Sequence, residues 1–235
     1  MRFQPFQLLI AFALILGAQT QGQSPAKPGN ARVRFVSLAR MPLKEYSILQ
    51  GKDKTAVKTA VSISDWNISP PVRLATDIPC KLPNESGEGN LASFRLLPGP
   101  REQLVVLTPA AKDAAGEYTV TVLDISPAKF MGGERYAINL SLLPVVVRFG
   151  DTNTRIESGA IGKIKTPRGK DGDFLPVHAA FYNDKRSKLF MSSRWVRDSR
   201  ARTLLFIYPD ADKKSLSWHG LEVPPLAEKE DVPEP

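Results

Sequence analysis

Two apolar runs recur one hundred residues apart and most constrain the fold of this 235-residue chain. Residues 101–109, REQLVVLTP, match residues 201–209, ARTLLFIYP, because in each an apolar quartet is followed by one residue and a proline. Segments 34–49 and 135–150 also correspond, in the same order along the chain, with Leu38 matched to Leu140 at an offset of 102. Two ordered matches indicate an internal duplication. A repeat of about a hundred residues has the size of a β-sandwich domain rather than of a solenoid unit.

Short strand-like segments fill both copies of the repeat. Twenty prolines and sixteen glycines interrupt apolar or alternating runs, which favours strands and turns over long helices. In residues 118–124, for example, apolar and threonine side chains alternate, as in a half-buried antiparallel strand. No segment carries a sustained helical period apart from a short possible turn at 192–200. The sequence therefore predicts an all-β protein of two tandem sandwich domains.

The composition along the chain predicts the domain boundaries. Residues 1–23 combine Arg2, an apolar run of eleven residues and a polar end, which is typical of a cleaved signal peptide. That run is shorter than the roughly 20 residues of a membrane-spanning helix, so we expect no span in the mature chain. We expect domains at 30–130 and 131–224, joined near residues 127–133. A disordered, acidic, proline-rich tail is expected at 225–235.

The segment KDAAGEYTVTV, residues 112–122, is similar to the D-x-G-x-Y segment of immunoglobulin-like domains. Asp113, Gly116 and Tyr118 stand at the matching positions. The resemblance implies a tyrosine that anchors the corner of the sandwich by hydrogen bonding back to the chain. The cysteine expected two residues after the tyrosine is replaced by Val120. The resemblance therefore points to disulfide-free, immunoglobulin-like sandwiches.

Segments 31–42, 132–150 and 202–210 resemble a set of uncharacterised secreted proteins from bacteria of the verrucomicrobial and planctomycete type. The shared motifs are strand patterns without catalytic residues. This resemblance spans residues 31–223 and implies a bacterial envelope or secreted protein. It implies no particular activity.

Two segments offer a possible nucleophile. Cys80 is the only cysteine and has only Lys81 nearby, so we interpret it as a partly buried residue in a loop. Ser126 and Lys129 fit the S-x-x-K pattern, but the expected helix is absent from the sequence pattern. A hydrolase using Ser126 or Cys80 is the alternative that these residues leave open. We favour a protein that is not an enzyme.

The remaining polar candidates also favour structural interpretations. His178 and His219 are widely separated and lie in strand-like segments, so they predict neither a catalytic base nor a zinc site. Asp171 and Asp173 lack the further acidic ligands that a calcium loop needs. The sequence predicts no cofactor and no metal.

The charge distribution is the most informative functional feature. Residues 148–202 contain 13 Lys and Arg against 6 Asp and Glu, and this excess equals that of the whole chain without Arg2. Such a basic domain outside the cell can bind polyanions, with aromatic side chains supporting the contact. The candidate residues for a polyanion site follow from the segment RWVRDSRAR. They are Arg194, Trp195, Arg197, Arg200 and Arg202.

Together these features predict a secreted or periplasmic protein that binds a partner or serves as a structural component of the envelope. The expected partner is an anionic polymer of the cell envelope or an unknown protein, and nucleic acid is not favoured. A second hypothesis is a periplasmic assembly chaperone, since pilus chaperones also have two immunoglobulin-like domains and bind partners by strand addition. That hypothesis depends on architecture alone.

Overall fold

The structure is a computed structural model that describes residues 29–51, 55–85, 89–110, 117–183, 186–210 and 215–224. The predicted signal peptide and acidic tail lie outside the described residues, as do Asp113 and Gly116. Within the described part, the chain contains strands and turns, and no helix long and apolar enough to cross a membrane.

The first half of the chain forms two four-stranded sheets. The strands are β1 Asn30–Ser37, β2 Glu45–Gln50, β3 Val57–Ser62, β4 Val72–Ala75, β5 Cys80–Pro83, β6 Asn90–Phe94, β7 Glu102–Pro109 and β8 Tyr118–Asp124. The inner sheet has the order β4-β1-β7-β8 and the outer sheet the order β3-β2-β5-β6. All pairs are antiparallel except β1 with β7, which is parallel.

The second half repeats this arrangement strand for strand. The strands are β9 Arg135–Asn139, β10 Val145–Phe149, β11 Thr152–Ile156, β12 Ile161–Lys163, β13 Phe174–Asn183, β14 Arg186–Val196, β15 Arg202–Asp210 and β16 Ser215–Val223. The inner sheet has the order β12-β9-β15-β16 and the outer sheet the order β11-β10-β13-β14, again with one parallel pair, β9 with β15. The prediction of an all-β chain with two β-sandwiches is confirmed.

Each sandwich has its own hydrophobic core between its two sheets. In the first, Phe35 and Val105 of the inner sheet pack against Ile48 and Leu82 of the outer sheet. In the second, Leu205 of β15 packs among residues such as Phe149. Burial of such a side chain contributes about 1.5–3 kcal/mol. Because the two cores are separate, each stabilises its own sandwich.

A third hydrophobic cluster lies between the two sandwiches, where the inner sheets pack face to face. Leu104 and Val106 of β7 meet Leu204 and Phe206 of β15 in this cluster, and all four are buried. Alternate residues of β7 and β15 therefore point into different cores. This explains the continuous apolar runs at 104–107 and 204–207, because a strand buried on both faces has no solvent-facing positions.

Polar and aromatic contacts also join the sandwiches. Trp66 adopts a left-handed backbone conformation (φ 62°) and its ring packs on Tyr208 and His219 of the second half. The Nε2 of His219 lies 3.1 Å from the carbonyl oxygen of Trp66 and donates to it. Phe130, in the segment between the halves, is buried in the third cluster. The connecting segment is thus part of the interface.

Three local expectations are corrected by the structure. Residues 192–196 belong to β14, so the possible turn at 192–200 begins only after Val196. Cys80 is completely buried in β5 instead of partly buried in a loop. The sequence TNTRI has one large apolar residue and does not predict a strand at 152–156, where the structure has β11.

Candidate polyanion-binding surface

The alternation of β14 separates the first two predicted site residues. Arg194 is exposed on the outer face of the sheet, where its guanidinium lies 6.0 Å from the ring centre of Phe174. Trp195 points the other way and packs against the second core, with its ring 6.2 Å from that of Phe149. Neighbouring strand residues lie on opposite faces, so these two side chains cannot form one stacking site.

Arg197 and Arg200 lie in the turn after β14. Arg197 donates to the carbonyl oxygen of Pro167, and its Nε is 3.9 Å from a carboxylate oxygen of Asp171. Arg200 is exposed, with its Nε 3.6 Å from Asp198. Both arginines therefore have local partners, and exposed pairs of this kind contribute little to stability.

Arg202 is buried, which contradicts its prediction as part of an exposed basic site. Only 6% of the residue is exposed. Its Nη1 donates to the carbonyl oxygen of Ile125 in the first half at 2.9 Å, and its Nη2 donates to that of Pro224 at 2.5 Å. Arg202 therefore holds the two sandwiches together and is removed from solvent.

The outer face of the β11-β10-β13-β14 sheet gathers a different set of basic side chains. Cross-strand register places Arg148 beside His178, and Pro176 beside Arg194. Arg155 extends the same face from β11 and pairs with Glu157 at 2.6 Å. The described strand positions of this face carry no acidic side chain. They are Val146, Arg148, Asn153, Arg155, Phe174, Pro176, His178, Ala180, Tyr182, Ser187, Leu189, Ser192, Arg194 and Val196.

Large apolar and aromatic side chains are exposed on the same face. Phe174 is 60% exposed, Leu189 57% and Tyr182 49%. Scattered exposed apolar residues are ordinary, but several of them on one sheet face mark a contact surface. The arginines and rings together form what we call the arginine-aromatic face, defined by Arg148, Arg194, Phe174 and Tyr182.

The corresponding face of the first sandwich has a different chemistry. Its outward positions include Lys58, Lys81 and Glu45, and Leu49 is the large apolar side chain there. Other outward register positions include the small residues Ser47, Ala60, Ser62 and Ser93. The arginine-aromatic face therefore belongs to the second sandwich, and the described outer face of the first sandwich has no counterpart of it. The site predicted from the sequence did not include Phe174 or Tyr182. Period-two alternation through residues 174–182 nevertheless places Phe174, His178 and Tyr182 on one face.

The two candidate nucleophiles lack activating surroundings. The hydroxyl of Ser126 donates to Asp124 at 2.5 Å rather than to Lys129. Cys80 accepts a hydrogen bond from Gln50, and burial raises the pKa of its thiol to about 11. A thiol with a raised pKa remains protonated at neutral pH and is a poor nucleophile.

The other polar candidates have structural partners. Asp173 accepts from the Lys170 amide at 2.8 Å, and Asp171 accepts from the Ser199 amide at 3.1 Å, as in ordinary turns. His178 lies in β13. Among the described residues there is no group of three or more His, Cys, Asp or Glu that could hold a metal ion.

In comparisons with known proteins, the chain matches no family model and no curated protein sequence.

Proposed function

We propose that this protein acts outside the cytoplasm as a non-enzymatic binding protein, secreted or periplasmic, whose second sandwich contacts an anionic polymer of the cell envelope. The supporting observation is the arginine-aromatic face, which combines exposed guanidinium groups with exposed rings and lacks acidic side chains at its described strand positions. Guanidinium groups bind carboxylates and phosphates in two-pronged geometry. Aromatic rings add stacking area for a polymer that lies along the sheet.

Charge reversal on this face provides the test. The double variant R148E/R194E and the double variant K58E/K81E lower the net charge equally, and the second pair lies on the outer face of the other sandwich. We expect R148E/R194E to elute from immobilised heparin at markedly lower salt than the wild type. K58E/K81E should elute close to the wild type, because a localised surface rather than net charge governs retention.

The aromatic contribution requires a separate variant. F174A/Y182A leaves the charge unchanged and should weaken heparin binding several-fold, because it removes the two exposed rings that define this face with the arginines. Equal loss of retention in both charge-reversal variants, or unchanged retention in R148E/R194E, would contradict the proposed surface. Thermal unfolding of each variant serves as the folding control.

An assembly chaperone is the second candidate, favoured by one observation. Strand β14 lies at the edge of its sheet, runs for 11 residues and exposes Leu189 and Val196. Such an edge suits the addition of a partner strand. A chaperone role predicts that an aggregation-prone envelope subunit co-purifies with the wild type and is lost when a proline replaces Ser192.

A further inference from the structure

A cleft of about 520 Å³ opens at one end of the second sandwich, away from the residues of the arginine-aromatic face. The turn before β9 with its first residue, the end of β12 with the residues that follow it, and the segment after β14 form its walls. Its charged lining is mostly cationic: Arg135, Lys163, Lys165 and Arg197, with Glu134 and Asp198.

Arg135 is the most deeply buried of these cations, with 2% of its surface exposed. Its Nη1 donates to the carbonyl oxygen of Gly133 at 3.2 Å and its Nη2 to that of Val196 at 2.9 Å. Its guanidinium lies 5.0 Å from the ring centre of Phe149. These partners are all uncharged. The Nε of Arg135 is buried and has no hydrogen-bond partner among the described residues.

The acidic residues of the cleft are engaged elsewhere. Glu134 pairs with Lys163 and accepts from the Met131 amide at 2.9 Å. Asp198 accepts from the Arg200 amide at 2.8 Å. Within the described part of the chain, Arg135 forms no ion pair with a carboxylate. Burial lowers the pKa of Arg135 and the nearby Arg197 lowers it further, whereas Asp198 and Asp171 act in the opposite direction.

A buried cation without a close opposite charge is costly, so an anion that enters beside it is stabilised. We propose that this cleft binds a small oxyanion, a carboxylate or phosphate group carried on a sugar-sized molecule, with Arg135 as the deep cation and Lys165 at the rim. The cleft volume falls in the range of small-molecule sites and exceeds what one phosphate ion fills. This site is independent of the proposed polymer-binding surface, because it shares no residue with the arginine-aromatic face.

Glucuronate and glucose 6-phosphate are suitable probes for the two sources of the oxyanion, and glucose is the neutral control. Each is titrated into the full chain while NMR follows the Nε–H signal of Arg135 and the amide signals of Gly132 and Gly133. We expect saturable shifts with at least one acidic probe and none with glucose. Absence of saturable shifts with both acids, or equal shifts with glucose, would overturn the proposal.

Variants separate this site from other surfaces. Lys165→Glu should weaken binding of the acidic probe at least tenfold, whereas Lys81→Glu on the first sandwich should leave it unchanged. The R148E/R194E variant should also bind the probe normally, so failure of the polymer-binding surface remains distinguishable from failure of the cleft. Unaltered affinity in Lys165→Glu would contradict the proposal. The wild-type titration keeps the test valid if an Arg135 variant does not fold.

Discussion

Replacement of Arg202 by Met tests whether this arginine serves the interface between the sandwiches rather than a binding surface. The change removes the donors to the carbonyl oxygens of Ile125 and Pro224. It also removes the strongest of the positive charges that act on the buried carboxyl of Glu102. Breaking a buried charge arrangement by deleting one member costs about 3–5 kcal/mol. We expect that loss in the free energy of unfolding from urea denaturation at pH 7, with unchanged heparin retention.

A double-mutant cycle isolates the charge contribution. Glu102 is 4% exposed and its Oε2 has no hydrogen-bond partner among the described residues. Glu102→Gln alone should therefore cost less than about 1 kcal/mol, since it removes a poorly satisfied buried charge. In the double variant, residue 102 carries no carboxylate that the loss of Arg202 could leave without a nearby positive charge. The cost of Arg202→Met should therefore be smaller there, by a coupling free energy of about 0.5–3 kcal/mol. Additive effects, or a cost below about 1 kcal/mol for Arg202→Met, would refute this reasoning.

Three further predictions follow from buried polar groups. The thiol of Cys80, with its pKa raised to about 11, should react with a disulfide reagent at pH 8 only as fast as the protein unfolds. Asn139→Ala should lower the free energy of unfolding by about 2–4 kcal/mol in urea denaturation, because it removes the side-chain amide that donates to the carbonyls of residues 143, 156 and 157 and the oxygen that accepts from the buried amide and hydroxyl of Ser141. The matched Ser37→Ala change in the first half should cost only about 1 kcal/mol. Burial raises the pKa of Glu102, so the folded chain retains a proton that the unfolded chain releases. Relative to Glu102→Gln, wild-type stability should therefore fall as the pH rises above about 4.5, measured by urea denaturation between pH 4 and 7.

The strands were predictable from sequence where burial dictates the residue pattern. Strands β7 and β15 were recognised because their apolar runs are buried on both faces. Strand β5 has no strand pattern in the sequence, because prolines lie at both of its ends, and β11 has none because edge strands tolerate polar residues. The immunoglobulin-like identity stays a prediction. Tyr118 does donate to a distant carbonyl, that of Arg40 at 3.1 Å.

The candidate site was less predictable because a linear cluster of charges does not reveal which faces the residues occupy. Strand alternation alone distinguishes Arg194 from Trp195. The burial of Arg202 depends on how two sandwiches pack, and no local pattern contains that information. Arg148 joins Arg194 only through cross-strand register over three neighbouring strands, β10, β13 and β14.

The face-to-face packing of the inner sheets also has a consequence for biogenesis. During synthesis the first sandwich is complete before the second, and until then it exposes Val36, Leu104 and Val106 to solvent. Because the two halves share one strand order, the inner sheet of the second half resembles the inner sheet of the first half, which it covers. A first half produced alone should therefore pair with its own copy about a two-fold axis. The duplicated chain replaces that concentration-dependent association with an intramolecular one.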